Sequence, residues 1–430
     1  MSVYQDLVDK KSKLVVVGLG YVGLPLALEF SRKIPVIGFD TDREKIASLR
    51  KGIDPNREVD SSAFEQADIV FTDDESLLGE AVFFIVAVPT PVDKYNVPDL
   101  RFLMEASATI GRNIRKGAVV VFESTMYPGC TEEECIPEIE RTAALKAGLA
   151  FTYGYSPERI NPGDKRNTIR TVKKIISASD DQTLEEIAKV YELVVDAGLY
   201  RASSIKVAEA AKIVENTQRD INIALMNELS MIFDRMGINT FEVLEAAATK
   251  WNFLNFTPGL VGGHCIGVDP YYLAHKASSL DYDPKLISVS RLINDEIARN
   301  VARKVVTHVL KNATDSSKAR VLVMGATFKE NVSDIRNSKI FDTIRELQAF
   351  QISVDISDPY ADPAAVLQKY NIVLSEKVNQ KYDAVIIAVG HSSYLSLTED
   401  YFCSITHSNA LIADLKGLYR GMRKRAYWSL

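Results

Sequence analysis

The sequence predicts an α/β protein in which two doubly wound parallel sheets are joined by a long central helix. Three observations carry that reading. Short β-branched apolar runs alternate with helix-spaced segments over the first part of the chain, the alternation resumes at Arg320, and Ile205–Met236 between them holds neither glycine nor proline. Three segments follow, residues 1–203, 204–310 and 311–430.

Composition narrows the function classes. The 430 residues carry 51 basic and 57 acidic side chains, a formal charge of −6, with 47% hydrophobic and 25% charged residues. A mildly acidic balance argues against a nucleic-acid binder, which would show a basic stripe. Apolar runs such as Ala81–Val88 are too short to span a bilayer. Four cysteines make no disulfide scaffold, and nothing at Met1 resembles a signal peptide. The expectation is a reduced, cytoplasmic, multidomain protein without nucleic-acid or membrane partners.

Taken in order, Leu14–Val17, Pro35–Asp40, Ile69–Phe71, Val82–Val88 and Val119–Glu123 are continuous apolar runs, as buried parallel strands require. Val22–Ser31, Arg43–Lys51 and Leu100–Ile114 have helical spacing between them, and Phe151–Tyr155 and Lys173–Ala178 continue the first sheet. The central helix from Ile205 stops at Gly237. A glycine-rich stretch, Pro258–Gly267, precedes a further helix at Leu286–Lys311. Arg320–Met324, Ser353–Ile356, Asp383–Val389 and Leu411–Leu415 are strands of the second sheet.

The motif Gly18-Leu19-Gly20-Tyr21-Val22-Gly23 follows the first strand and opens a helix. In that setting Gly18 turns the chain, Gly20 lets backbone approach a pyrophosphate, and Gly23 packs helix on strand. The helix N-terminus, with Tyr21 and Val22, offers N–H groups to phosphates. Asp40 ends the second strand twenty residues after Gly20, where an acid grips ribose hydroxyls. The Rossmann-like reading and NAD follow, a carboxylate there repelling the 2′-phosphate of NADP. Arg43 is the counterargument, since a nearby arginine serves NADP. Thr90, in the Pro89-Thr90-Pro91 turn, and Thr125, after Glu123-Ser124, stand beyond strand ends where such ligands bind, although turn chemistry alone also favours these residue types.

On the central helix Lys212, Asn216 and Arg219 fall at i, i+4 and i+7, and Asn222 extends that face. A solvated stripe is the ordinary explanation. The remaining faces are rich in alanine, isoleucine, leucine and methionine, so the alternative is a buried helix whose one polar stripe needs a polar partner.

The segment Gly262-Gly263-His264-Cys265-Ile266-Gly267-Val268-Asp269-Pro270 surrounds Cys265 with side-chain-free backbone through which a substrate carbon could approach sulfur. Asp269-Pro270 fits a helix start, with Asp as the cap and Pro at the first position. A helix N-terminus and a lysine such as Lys212 would lower the thiol pKa. Spacing alone leaves nucleophile and buried core thiol both open. His264 and Cys265 with Cys130 and Cys135 match no usual zinc spacing, so no metal is expected. Thr131 to Glu134 has the spacing of a capping box, with Cys130 just outside it.

Together GLGYVGLPLA, AVPTP, ESTMYPG, SPERINPG, AEAAKIVENTQRD, GGHCIGVDPYY and GATFKENVSDIRNS, in this order along essentially the whole chain, resemble the nucleotide-sugar 6-dehydrogenases that include UDP-glucose dehydrogenase. YPGCTEEEC, SPERINPG and KWNFL are most similar to the UDP-N-acetylglucosamine/galactosamine branch of the Vi-antigen biosynthesis type. The resemblance implies two successive NAD-dependent oxidations of C6 to a carboxylate for surface polysaccharide precursors. Under it, 1–203 is an NAD-binding domain, 204–310 a central helical and dimerisation domain with the catalytic cysteine, and 311–430 a UDP-sugar-binding domain. It implies that Cys265 attacks the C6 aldehyde and passes through a thiohemiacetal to a thioester. Lys212 would stabilise the oxyanion, Asn216 would orient it or a water, Asp269 would hold Lys212 or share in proton transfer, Glu158 would activate water, and Thr125 would stand near the nicotinamide. Arg159, Ile160, Arg219, Gly262, Phe328, Lys329 and Lys416 match substrate-contacting positions, and Arg336 a cofactor contact. A homodimer is the family habit.

The chain departs from UDP-glucose dehydrogenases at RINPG, where they carry FLREG, and at Thr249-Lys250-Trp251, where no arginine matches one that reaches a neighbouring subunit. UDP-ManNAc and UDP-glucose stay open as substrates. So does a two-electron hydroxy-acid dehydrogenase in which Cys265 only packs. A non-catalytic nucleotide sensor is a third reading, opposed by the retained Cys265, Lys212 and Asp269.

Overall fold

The computed structural model describes residues 2–56, 59–159, 166–263, 265–313, 315, 318–375, 378 and 380–430. The chain divides into two compact units, Met1–Glu215 with Tyr271–Tyr282, and Asn216–Pro270 with Asp283–Leu430.

The first unit opens with a short helix, α1 (Val3–Val8), and then alternates: β1 (Lys13–Val17), α2 (Gly23–Ser31), β2 (Val36–Phe39), α3 (Arg43–Leu49), β3 (Ile69–Thr72), β4 (Ala81–Val86), α4 (Arg101–Asn113), β5 (Ala118–Phe122), α5 (Ile136–Ala143), β6 (Phe151–Tyr155), β7 (Lys174–Ala178), α6 (Asp181–Tyr191) and β8 (Leu199–Arg201). The strand order is β3-β2-β1-β4-β5-β6-β7-β8, parallel through β6. Strand β7 runs antiparallel to β6. The order reverses direction between β1 and β4, and the chain leaves both strands there at their carboxyl ends, the usual place for a ligand crevice. Strands β1, β4 and β5 are almost wholly buried, which is why they read as unbroken apolar runs.

Helix α7 (Ile205–Met236) runs from the first unit into the second, followed by α8 (Thr240–Ala248), α9 (Asp269–Ser279) and α10 (Lys285–Asn312). The second sheet comprises β9 (Arg320–Met324), β10 (Ser353–Ser357), β11 (Tyr382–Ile387), β12 (Thr406–Asp414) and β13 (Ala426–Ser429), with helices α11 (Ile340–Ala349), α12 (Pro363–Tyr370) and α13 (Glu399–Ile405). Its order is β10-β9-β11-β12-β13, all parallel. Alternate residues of β9 face opposite ways: Val321 and Val323 pack with Val305 and Ile344 of the α10 and α11 side, Leu322 and Met324 with Phe402 of α13. Helices therefore cover both faces, as the doubly wound reading requires. Strand and helix limits fall within two residues of those expected for most segments, except that β12 starts five residues earlier than Leu411.

Helix α7 differs from the buried apolar helix with one polar stripe. Its buried side holds Glu209, Lys212, Asp220 and Asn227, whereas Val207, Val214, Leu225, Ile232 and Met236 are exposed. Those five apolar positions are spaced 7, 11, 7 and 4 residues apart, a single face at 100° per residue. Of the expected polar stripe Lys212 is buried, Asn216 and Asn222 are half-buried and Arg219 is exposed, so it lies inward only in part, and the apolar faces are not all covered either.

Candidate functional site

In the first unit, Gly18 has φ +92°, and a Cβ there would lie 2.7 Å from the Ala87 carbonyl oxygen. At Gly23 a Cβ would lie 1.8 Å from the Gly18 carbonyl oxygen, so that glycine is obligatory for the close approach of α2 to the turn. Gly20 is different, with nothing within 4 Å of the Cβ position. Tyr21 and Val22 are half-buried, and Val22 precedes α2 without any side-chain cap. No capping side chain therefore competes with a ligand at the start of that helix.

Asp40, at the end of β2, is buried and accepts from Leu19 N at 2.9 Å, which ties the acid to the glycine turn. It also accepts from Asp42 N at 3.0 Å and from Lys45 Nζ at 2.8 Å. Arg43 is turned to Asp73 at 3.3 Å, so Lys45, which no sequence motif singles out, is the base at Asp40. The open face of Gly20, the uncapped start of α2 and a carboxylate at the next strand end fit a dinucleotide with free ribose hydroxyls.

The ends of β4 and β5 are laced together: Ser124 Oγ donates to Val88 O at 2.7 Å, and Ser124 N to Val86 O at 3.2 Å. Thr90 and Thr125 are half-buried on the two segments so joined. Glu158, buried beyond β6, accepts from the backbone N–H of Arg159 at 2.6 Å. The Arg159 guanidinium meets Glu215 at 2.7 Å and donates to the Lys173 carbonyl at 2.8 Å. Ile160 lies outside the described residues.

The capping box expected at Thr131–Glu134 does not form. Glu209 of α7, fully buried, accepts instead from Thr131 N at 2.9 Å, Thr131 Oγ1 at 2.7 Å and Gly129 N at 2.6 Å, while Glu134 accepts from Tyr127 OH at 3.2 Å. A carboxylate from 78 residues away, with three donors, wins over the local pattern. Burial pushes the Glu209 carboxyl up to about 7, against the opposing pull of those hydrogen bonds. Lys212, one turn further along α7, is also buried.

In the second unit, Asn216 of α7 donates from Nδ2 to Asp269 at 2.5 Å. Asp269 is itself the first residue of α9, not the residue before it, and its N–H, like that of Val268, donates to the Cys265 carbonyl at 2.8 and 3.1 Å. The half-buried Cys265 therefore stands at the head of α9. Before it, Gly263 has φ +85° and lies against the Phe328 ring, where a Cβ would come to 3.0 Å. A Cβ on Gly262 would meet the Asn337 carbonyl oxygen at 2.6 Å, and Asn337 Nδ2 donates to Gly263 O at 3.2 Å. The segment is held further back by Asn227, which donates to Gly259 O at 3.1 Å and accepts from Gly259 N at 2.8 Å.

The fold thus gathers Gly262, Phe328 and the Cys265 segment. Lys329 Nζ is 5.4 Å from the centre of the Phe328 ring. Lys416 pairs with Glu330 at 2.9 Å, and Arg336 is bidentate on Asp334 at 2.9 and 2.7 Å. Arg219 is exposed. Among the described residues no three His, Cys, Asp or Glu side chains form a metal-binding group, and no helix is long and apolar enough to cross a membrane.

The end of β10 repeats the acid of β2. Asp358, fully buried, accepts from Ala326 N, Thr327 N, Tyr360 N and Ala361 N at 2.6, 3.1, 2.7 and 2.9 Å, and from His391 Nε2 at 3.1 Å. His391 Nδ1 accepts from Asn331 N at 3.0 Å, which fixes the proton on Nε2. Burial works upward on the Asp358 carboxyl, and these donors overcome it, holding it at about 2.

Three family models match in succession: the NAD binding domain of the UDP-glucose/GDP-mannose dehydrogenase family over residues 12–195, its central domain over 206–296 and its UDP binding domain over 322–421. The chain is 48% identical over 411 residues to a UDP-N-acetyl-D-glucosamine 6-dehydrogenase of Pseudomonas aeruginosa, covering 95% of this chain and 97% of the relative. It is 46% identical over 406 residues to the enzyme of that name from Salmonella typhi, covering 94% and 96%. Among solved structures, a UDP-D-ManNAc dehydrogenase from Pyrococcus horikoshii superposes with a TM-score of 0.86 at 28% identity, covering 97% of this chain and 98% of the other. With a glycine turn and strand-end acid suited to NAD in one unit and a cysteine on a glycine loop in the other, the chain belongs to the UDP-glucose/GDP-mannose dehydrogenase family of NAD-dependent oxidoreductases.

Proposed function

We propose that the chain oxidises C6 of a UDP-N-acetylhexosamine, UDP-GlcNAc or UDP-GalNAc, to the uronic acid, releasing two NADH per sugar. The observation that carries this is Cys265: a half-buried thiol on a segment that glycine alone can build, with its carbonyl fixed at the head of α9 and the Asn216–Asp269 pair beside that helix start. A thiol so placed has a reason to be there that core packing does not supply. The names of the Pseudomonas and Salmonella relatives support the choice of sugar.

NAD supplies a hydride acceptor for each oxidation. Gly18, Gly20, Tyr21, Val22, Gly23, Asp40, Arg43, Thr90 and Thr125 would bind and orient it, with Arg336 a further contact. The Cys265 sulfur bonds to the C6 aldehyde carbon, so the aldehyde cannot escape between steps. Lys212 and Asn216 stabilise the developing oxyanion, and Asp269 fixes the Asn216 amide. Loss of the second hydride leaves a thioester, and Glu158 takes a proton from the water that cleaves it. Arg159, Arg219, Phe328, Lys329 and Lys416, together with Gly262 and Ile160, would hold the nucleotide sugar, guanidinium and ammonium groups suiting a diphosphate.

We assign the segments 1–203, 204–310 and 311–430 to cofactor, central and UDP-sugar domains, and a cytoplasmic place in making surface polysaccharide precursors. The exposed apolar stripe of α7 supports a homodimer. The deciding experiment is a panel of UDP-GlcNAc, UDP-GalNAc, UDP-ManNAc and UDP-glucose monitored by NADH release. Two NADH per acetamido sugar are expected; one per sugar ends the thioester proposal.

A further inference from the structure

Three neighbouring strands of the first sheet converge on one buried ammonium. β5 runs into Glu123, β6 into Ser156-Pro157-Glu158, and the antiparallel β7 begins at Lys174, bringing its start to the ends of the other two. Lys174 Nζ lies 2.6 Å from Glu123 Oε2, donates to the Pro157 carbonyl at 3.2 Å and stands 4.0 Å from Glu158 Oε2. The other Glu123 oxygen accepts from Tyr191 OH of α6, whose ring centre is 5.4 Å from the same ammonium. Ser156 Oγ donates to the Ile175 carbonyl at 2.7 Å, and the Arg159 N–H takes the far oxygen of Glu158. Glu123, Lys174 and Tyr191 are all buried.

A buried ion pair is weak evidence for stability, since an apolar pair of the same volume often serves as well. Its location says more. Glu123 leads into Ser124-Thr125, and Glu158 closes the neighbouring segment; Lys174 reaches both carboxylates. Breaking it would remove the ammonium that lies near both carboxylates and the donor to the Pro157 carbonyl.

We propose that Lys174 is a positioning residue for the hydrolytic half of the reaction, aiming the Glu158 carboxylate at the water that releases the uronate. This rests on the cysteine-thioester reading above. In that step the water oxygen bonds to the acyl carbon, one water proton passes to Glu158, and the carbon–sulfur bond breaks with its electron pair on sulfur. The acid product loses the second proton. Lys174 transfers nothing in this step.

The test uses the full chain, with Glu123→Gln/Lys174→Met, which removes the pair without stranding the Glu123 carboxylate, and Lys174→Arg as the conservative rescue. Each is mixed rapidly with UDP-GlcNAc and excess NAD+. In the double variant a burst of two NADH per site is expected, followed by turnover about 10-fold slower or more, with kcat/KM for UDP-GlcNAc within about 3-fold of wild type because only a late step is slowed. Intact-mass measurement of quenched protein should then show the acyl adduct, lost when Cys265 is also replaced. Lys174→Arg should restore part of the turnover and reduce the adduct. Slow turnover without burst or adduct, or an equally slowed first NADH, overturns the assignment and leaves the pair a purely structural one. If the double variant does not fold, Lys174→Gln, which keeps a donor for Glu123, gives the same readouts. A wild-type yield of one NADH per sugar defeats the thioester reading itself, a different failure from a variant that merely accumulates nothing.

Discussion

Asn216 and Asp269 share a 2.5 Å hydrogen bond that joins the middle of α7 to the first residue of α9, four positions beyond Cys265. A carboxylate acceptor makes this a charge-assisted bond, strong enough to fix the amide's orientation. Replacing Asn216 with Ala should lower kcat by about 100- to 1,000-fold, the usual effect of removing one oxyanion donor, with the KM for NAD little changed. Asp269→Asn should be milder, because an amide oxygen still accepts. Steady-state NADH kinetics on both variants, with circular dichroism to confirm folding, check this; equal small effects would remove Asn216 from the chemistry.

Cys265→Ala should abolish uronate formation while leaving NAD affinity nearly intact, since the cysteine and the glycine turn belong to different units. Calorimetric NAD titration alongside product analysis separates the two. Continued uronate production by this variant is the outcome that sinks the nucleophile assignment.

The last glycine of the motif and the middle one predict opposite phenotypes. Gly23→Ala places a methyl 1.8 Å from a carbonyl oxygen, so backbone must move; a stability loss of about 3 kcal/mol is expected. Gly20→Ala meets nothing within 4 Å and should leave the melting temperature near wild type while raising the KM for NAD. If Gly20→Ala binds NAD normally, the open face at that residue is not where the cofactor lies.

Glu209 makes stability depend on pH. Its carboxyl is raised from 4.5 to about 7 in the folded chain, so folding favours the protonated form. As pH climbs from about 4.5 to 7 the unfolded chain gives up the proton first, and stability falls through that window by about 3 kcal/mol before levelling off. Glu209→Gln should flatten the difference between urea midpoints measured at pH 5 and pH 8. An unchanged difference would mean that other groups set it.

The apolar stripe on α7 predicts a dimer. Leu225→Asp with Ile232→Asp should shift the mass measured by light scattering from two chains to one without loss of helical signal. A wild-type chain that is already monomeric at micromolar concentration would rule this interface out.

How far the sequence reveals the structure varies with how local the cause is. The glycine turn, Asp40 and the strand runs are readable because a parallel sheet covered on both faces demands unbroken apolar strands, and because a tight strand-to-helix turn demands glycine at Gly18 and Gly23. Helix α7 is half legible: its polar stripe does need partners, but its apolar side faces out, and no pattern within one helix tells which side the rest of the chain covers. Thr131 looks like a capping residue from its neighbours, whereas its donors go to Glu209, a pairing that only the fold brings about. Lys45 and Lys174 give no signal, each being a lone lysine beside a strand or helix until the fold sets a carboxylate against it.

The acids ending the second strands of the two sheets have parted in use. A carboxylate has about four acceptor positions. Asp358 receives five donors, from Ala326, Thr327, Tyr360, Ala361 and His391, and is saturated by its own chain. Asp40 receives three, one from a lysine side chain that a ligand could displace. A sugar diol arriving at Asp358 would find no acceptor, so the second sheet has converted the position from a handle into a strut. One architecture used twice in a chain thus avoids competing with itself for the same dinucleotide.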